Sequence, residues 1–151
     1  MKTFLFIFTT ILSFKLFATS NLNGLWQGTG QLLIKGQSQP ETCEMVLEIL
    51  HTETEFSVIQ SDFKCPSMHI KNKAQNKLTI KDFRLYLNNV ERGYIDDNTM
   101  YSYFNTTTGL IQSYLLKYTA NEKSLSYMDS IDWNSKFSTQ LTGSLTLKSN
   151  P

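Results

Sequence analysis

The sequence contains few of the side chains on which enzyme chemistry usually depends. It has two histidines, His51 and His69, and two cysteines among 151 residues. Nucleophilic catalysis needs a nucleophile, a base and an orienting group within hydrogen-bond reach, and neither histidine lies in a motif that would supply such a set. We interpret both histidines as ordinary surface or turn residues. We therefore expect a protein that is not an enzyme.

Metal ligands are equally scarce. Zinc sites need clustered His and Cys side chains, and the cysteine nearest to His69 in sequence, Cys65, is expected to be bonded to another cysteine. Residues 96–98, Asp-Asp-Asn, could offer oxygens to calcium, but the other ligands and the spacing of a calcium loop are missing. We interpret this segment as a solvated hairpin turn and expect no metal and no cofactor.

The net charge is close to zero, with 14 Lys and Arg against 13 Asp and Glu. Without Lys2 and Lys15 of the N-terminal segment, 12 basic residues remain and the net charge is about −1. A nearly neutral protein has no general attraction for nucleic acid, which excludes that class of partner. Glutamates gather between residues 41 and 55, and basic residues between 64 and 84. This distribution indicates either cross-strand charge pairing or a bipolar surface that docks a partner.

A long apolar run occurs at the N-terminus, over residues 4–12. Lys2 places a positive charge before this run, and small residues follow it from Ala18 to Ser20. This is the pattern of a secretory signal that is cleaved near Ala18 or Ser20.

A retained membrane anchor is the alternative to a cleaved signal. Spanning a bilayer needs about 20 apolar residues, and Lys15 interrupts the run before that length. We predict a signal peptide at residues 1–20 and one domain at residues 21–151, without a transmembrane span, in a secreted or periplasmic protein.

Two cysteines, Cys43 and Cys65, remain in the predicted mature chain. An even number of cysteines in an exported protein favours a disulfide, and two buried free thiols are the alternative. If residues 43–49 and 56–63 pair as a hairpin, the bridge would lie at its open end.

Apolar residues alternate with polar ones over most of the predicted mature chain. Residues 22–34 have Leu, Gly, Trp, Gly, Gly, Leu and Ile at the even positions, which places them on one face of a strand. Further runs predict strands at residues 43–49, 56–63, 68–71, 78–87, 90–95, 99–104, 110–119, 125–133 and 137–148. The apolar parity changes within residues 78–87, which predicts a β-bulge near Asp82.

Short turns separate these runs, and no segment has a helical apolar period with caps. Successive strands joined by short turns are antiparallel neighbours, and closing the sheet removes its exposed edges. The sequence therefore predicts an all-β fold, an antiparallel up-and-down β-barrel of about eight to ten strands, with Trp26 plugging one end. The alternative is a β-sandwich.

The first strand carries a family resemblance. Gly24-Leu25-Trp26 after a predicted signal resembles the lipocalin and calycin superfamily, and the pattern through Gly28 and Gly30 is similar to nitrobindin-type barrels. A tryptophan followed by two cysteines also resembles the small periplasmic inhibitors of metalloproteases. The resemblance implies a calycin-like barrel. Nitrobindin-like proteins bind haem through a late histidine, which this chain lacks, so no haem is expected.

Aromatic residues are the best candidates for a ligand site. A barrel of about eight strands can hold one small ligand, and tyrosines suit pockets because they are apolar with a polar tip. The candidate ligand-binding residues are Trp26, Tyr94, Tyr101, Tyr103, Phe104, Tyr114 and Trp133. A packed core would use aromatics equally well, and the inward face of residues 99–104 stays open.

Two functions follow from these observations. The first is binding of a small apolar or amphipathic molecule inside the barrel. The alternative is a protein-binding module, with an envelope protein as the partner or with a protease-inhibitor-like role, acting through loops or an exposed edge.

Overall fold

The computed structural model describes residues 22–73, 77–96, 98–106, 109–119, 123–134 and 136–149. The predicted signal peptide at residues 1–20 lies outside these residues. The described residues form eleven strands and no helix. The strands are β1 (Gly24–Ile34), β2 (Glu41–His51), β3 (Glu55–Lys64), β4 (His69–Lys73), β5 (Leu78–Lys81), β6 (Arg84–Leu87), β7 (Val90–Ile95), β8 (Thr99–Asn105), β9 (Leu110–Thr119), β10 (Ser124–Trp133) and β11 (Phe137–Ser149).

Ten of these strands form a closed antiparallel barrel, in the order β2-β1-β11-β10-β9-β8-β7-β6-β5-β3, with β3 returning to β2. The first strand, β1, pairs with the last, β11, along most of its length. β4 is outside this ring and pairs with β3 alone. The predicted barrel is therefore confirmed, and the sheet does not divide into the two layers of a sandwich.

The alternation of β1 directs its even positions into the barrel, as predicted. Trp26 and Leu32 are almost fully buried. Gly28 lets β11 approach closely, since a Cβ at this position would lie 2.0 Å from the carbonyl oxygen of Ser144. The core of the molecule is the interior of the barrel, where the inward side chains of the strands pack together.

The predicted bulge near Asp82 is wrong. Residues 78–87 form two four-residue strands, β5 and β6, that pair with each other around Asp82 and Phe83. Both turn residues have positive φ angles, 50° and 61°, as a two-residue type I′ hairpin requires. The parity changes because the chain reverses direction. Phe at positive φ is uncommon, so the turn carries no ordinary sequence signal.

The predicted disulfide is present, with an S–S distance of 1.98 Å between Cys43 and Cys65. Cys43 lies near the start of β2 and Cys65 directly follows β3. These two strands pair as a hairpin, so the bridge joins its open end.

The barrel has two ends. The Trp26 end carries the turns after β2, β5 and β7, and the Leu110 end carries the connections after β1, β6, β8 and β10.

At the Trp26 end the indole N–H of Trp26 donates to the carbonyl of Leu22 at 2.9 Å, and the Leu22 N–H donates to Nδ1 of His51 at 3.3 Å. His51 is buried and is the last residue of β2, directly before a turn, so of the two expected settings, surface or turn, it has the turn. His69 is exposed, beside Asp62.

Candidate functional site

A cavity of about 270 Å³ lies inside the barrel. Its wall is mainly apolar, and the apolar residues around it include Leu47, Phe56, Val58, Leu78, Met100 and Leu116. Thr106 also lines the cavity and is exposed to solvent. The cavity therefore reaches the surface at the Leu110 end.

The inward faces of β8, β9 and β10 supply the polar part of the wall. Alternation in β8 places Ser102 inside, and alternation in β9 places Gln112 and Tyr114 inside. Tyr127 enters from β10. Polar groups thus gather on one side of an otherwise apolar cavity.

Asp129 lies behind these polar side chains, two residues after Tyr127 and opposite Tyr114 in the β9–β10 register. The amide of Gln112 donates to the Tyr114 hydroxyl and, at 3.4 Å, to Oδ1 of Asp129. The Tyr127 hydroxyl donates to Oδ2 of Asp129 at 3.5 Å. Both contacts to the carboxylate are long, so it has capacity to accept a further hydrogen bond.

Burial raises the pKa of Asp129 to about 6, an effect that the hydrogen bonds from Gln112 and Tyr127 only partly offset. Burial, and then the charge of Asp129, also raise the pKa values of Tyr114 and Tyr127 above the ordinary value. Both hydroxyls therefore stay protonated at neutral pH. A buried carboxyl with a shifted pKa at a cavity is typical of a functional site.

The structure brings two of the seven candidate aromatic residues, Phe104 and Tyr114, to the cavity, where their rings meet edge to face at 6.3 Å. Trp26 is fully buried but does not line the cavity. Trp133 ends β10, is 52% exposed and pairs with Leu110, which lines the cavity.

The other three candidates lie on the outer surface. Tyr101 and Tyr103 alternate with the inward residues of β8, and Tyr94 is paired with Tyr101 on β7. Their rings form a row, with centroids 5.7 Å and 6.2 Å apart. β8 carries apolar or aromatic residues on both faces, so hydrophobicity alone does not select the inward one.

Sequence reasoning missed Asp129, Gln112 and Ser102. A signal for Asp129 exists, since it continues the inward parity of Leu125 and Tyr127 on a predicted strand. A charged residue at an inward position indicates a functional or strained site. The other two are uncharged polar residues, and their cavity position depends on the face assigned to each strand.

In the described part of the chain, no three His, Cys, Asp or Glu side chains lie close enough to hold a metal ion. Among the same residues no helix is long and apolar enough to cross a membrane.

No protein-family model matches the chain, and no curated protein matches it in sequence. Among solved structures it is similar to the S-type phycobiliprotein lyase CPES from Guillardia theta. The TM-score is 0.54 at 8% sequence identity, over 86% of this chain and 90% of the lyase. At this identity the likeness supports the barrel fold and does not identify a family.

Proposed function

We propose that this protein binds one small apolar or amphipathic molecule inside its calycin-like barrel. The observation that carries the proposal is the cavity of about 270 Å³ with a mainly apolar wall. Ligand sites are concave and mostly apolar, with a few polar groups that fix orientation. Gln112, Tyr114 and Tyr127 supply such groups, and Asp129 stands behind them.

We further propose that the chain is exported and acts without catalysis. Export is supported by the signal-like pattern of residues 1–20 and by the Cys43–Cys65 disulfide, which suits an oxidising compartment. A non-enzymatic role is supported by the distance of both histidines from the Asp129 network, since His51 belongs to the Trp26 end and His69 lies on the outer strand β4.

Titration with N-phenylnaphthylamine, an uncharged probe that fluoresces in apolar surroundings, tests ligand binding. The Ser102→Leu variant places a larger side chain in the cavity, so we expect the probe affinity to fall by about tenfold or more, which corresponds to about 1.4 kcal/mol. Ser113→Leu makes the same change on the outward face of β9 and should bind like the wild type. Equal probe binding by Ser102→Leu and the wild type would contradict the cavity site.

Binding of an envelope protein is the second candidate function, and the row formed by Tyr94, Tyr101 and Tyr103 favours it. Tyr94 and Tyr103 are 39% and 41% exposed, and tyrosine is enriched at protein interfaces. Cross-linking in the host cell, with the wild type compared to a Tyr94→Ser, Tyr103→Ser variant, tests this function. A cross-linked partner lost only in the variant supports it, and an unchanged pattern contradicts it.

A further inference from the structure

Arg92 occupies an irregular position in β7. Leu85 of β6 pairs with Gly93 and Tyr86 pairs with Glu91, so Arg92 is the extra residue of a β-bulge. Bulges redirect a side chain and are frequent beside functional sites. Gly93 permits this bulge because glycine has no Cβ. The φ angle of Gly93 is +151°, and a Cβ there would lie 1.9 Å from the carbonyl oxygen of Tyr101.

The bulge brings the guanidinium of Arg92 over the ring of Phe104, with Cζ 5.7 Å from the ring centroid. Phe104 lines the cavity. Nε of Arg92 is buried and has no hydrogen-bond partner among the described residues. Buried polar atoms in folded proteins are nearly always hydrogen-bonded, so this N–H is an unsatisfied donor.

No described carboxylate neutralises Arg92. Its chain neighbour Glu91 faces Arg84, with Oε1 3.4 Å from Nη1, and Asp129 contacts Gln112 and Tyr127. The inner side chains run in order around the barrel, from Arg92 on β7 through Phe104 on β8 and Tyr114 on β9 to Asp129 on β10. Arg92 and Asp129 stand outside the cavity lining itself. Arg92 contacts Phe104, and Asp129 contacts Gln112 and Tyr127, so a positive group and a negative group flank the cavity from behind its wall.

We infer that Arg92 binds the anionic group of the ligand, so that the ligand is an amphiphile with an apolar body and a single carboxylate, sulfonate or phosphate group. The inference rests on the proposed cavity function. Nε and one Nη of arginine form a fork that matches two oxygens of such a group. Repulsion by Asp129 disfavours the reverse orientation, so the apolar body lies toward Tyr114 and Leu116.

Two matched probes test this inference, the uncharged N-phenylnaphthylamine and the anionic anilinonaphthalene sulfonate. We expect the wild type to bind the anionic probe about tenfold more tightly, which corresponds to about 1.4 kcal/mol. Arg92→Met keeps an apolar side chain over Phe104 and should lose this preference while its affinity for the uncharged probe stays within about twofold. Arg84→Met removes the other arginine, an exposed one, and should keep the preference.

The outcomes separate the two proposals. If neither probe binds the wild type, the cavity function itself is wrong. If the uncharged probe binds and Arg92→Met retains the anionic preference, only the role of Arg92 is wrong. An equal loss of both probes in Arg92→Met also overturns that role, because it would indicate structural damage and not a lost charge contact.

Discussion

Asp129 is the residue whose charge is least expected from its surroundings. Its folded pKa is about 6, against an ordinary value of 3.8. The folded state therefore binds the proton more tightly than the unfolded state does. Between about pH 4 and pH 6 the free energy of unfolding must fall as the pH rises, because the carboxyl of the unfolded state ionises over this range while the buried carboxyl still holds its proton.

We predict that Asp129→Asn stabilises the protein at neutral pH. The shift of about two pKa units corresponds to about 3 kcal/mol, which this variant recovers because an amide cannot ionise. Well below pH 4 the carboxyl is neutral in both states, and the gain should vanish. Urea denaturation of both proteins across this pH range measures the difference.

Asp62→Asn is the control for this prediction. The hydrogen bond with His69 lowers the pKa of Asp62, so its ionised form stabilises the folded state and the substitution should not stabilise the protein above pH 4. Destabilisation by Asp129→Asn at neutral pH would contradict the burial argument and assign the carboxylate a structural role.

At this scale the sequence predicts residue types better than positions. The sequence marks Phe104, Tyr114, Tyr101 and Tyr103 as candidates alike, yet Phe104 and Tyr114 line the cavity whereas Tyr101 and Tyr103 lie outside. Tyr103 and Phe104 are consecutive residues of β8. A one-residue shift moves every side chain of a strand to the opposite face. The position of the Arg92 side chain depends on a β-bulge in β7. No local sequence pattern indicates this bulge, because the bulge arises in the pairing of β7 with β6.

At the scale of elements, the hairpin of β2 and β3 is closed by a covalent bond. Cys43 and Cys65 are 22 residues apart in sequence and their Cα atoms are 4.3 Å apart. Cross-linking a loop of this size removes chain entropy from the unfolded state. The position of the bridge was predictable, because each cysteine falls at a strand end once the turn between the strands is recognised.

We predict that the double variant Cys43→Ala, Cys65→Ala has a free energy of unfolding lower by about 3 kcal/mol. Guanidinium denaturation under oxidising conditions measures it, and wild type with a thiol reductant is the matched control that should lose a similar amount. An unchanged free energy of unfolding in both samples would show that the bridge contributes no stability.

The short strands mark where element prediction fails. β5 and β6 have four residues each, and their combined sequence has the length and composition of one ordinary strand. The long strands β1 and β11 were predicted correctly because their alternation is sustained over ten or more residues. Sustained alternation identifies a strand, whereas a two-residue turn between four-residue strands leaves too little pattern to recognise.

At the scale of the whole molecule, the ring joins the two ends of the described chain. β1 pairs with β11 on one side and with β2 on the other, and Trp26 lies on its inward face, fully buried. Trp26 thus lies inside the ring, on the strand whose long pairing with β11 closes it. We therefore expect the barrel to unfold as one cooperative unit.

The two tryptophans allow a direct measurement. Trp133 is 52% exposed at the end of β10, and Trp133→Phe leaves Trp26 as the single tryptophan of the chain. In this variant we predict that native fluorescence resists quenching by acrylamide, and that its urea transition coincides with the loss of β-sheet circular dichroism, as two-state unfolding requires. The reciprocal variant, Trp26→Phe, should be quenched readily in the native state. A fluorescence transition at a lower urea concentration than the circular dichroism transition would mean that the Trp26 end opens before the rest of the barrel. Only the half of the barrel that holds the cavity would then unfold as one cooperative unit.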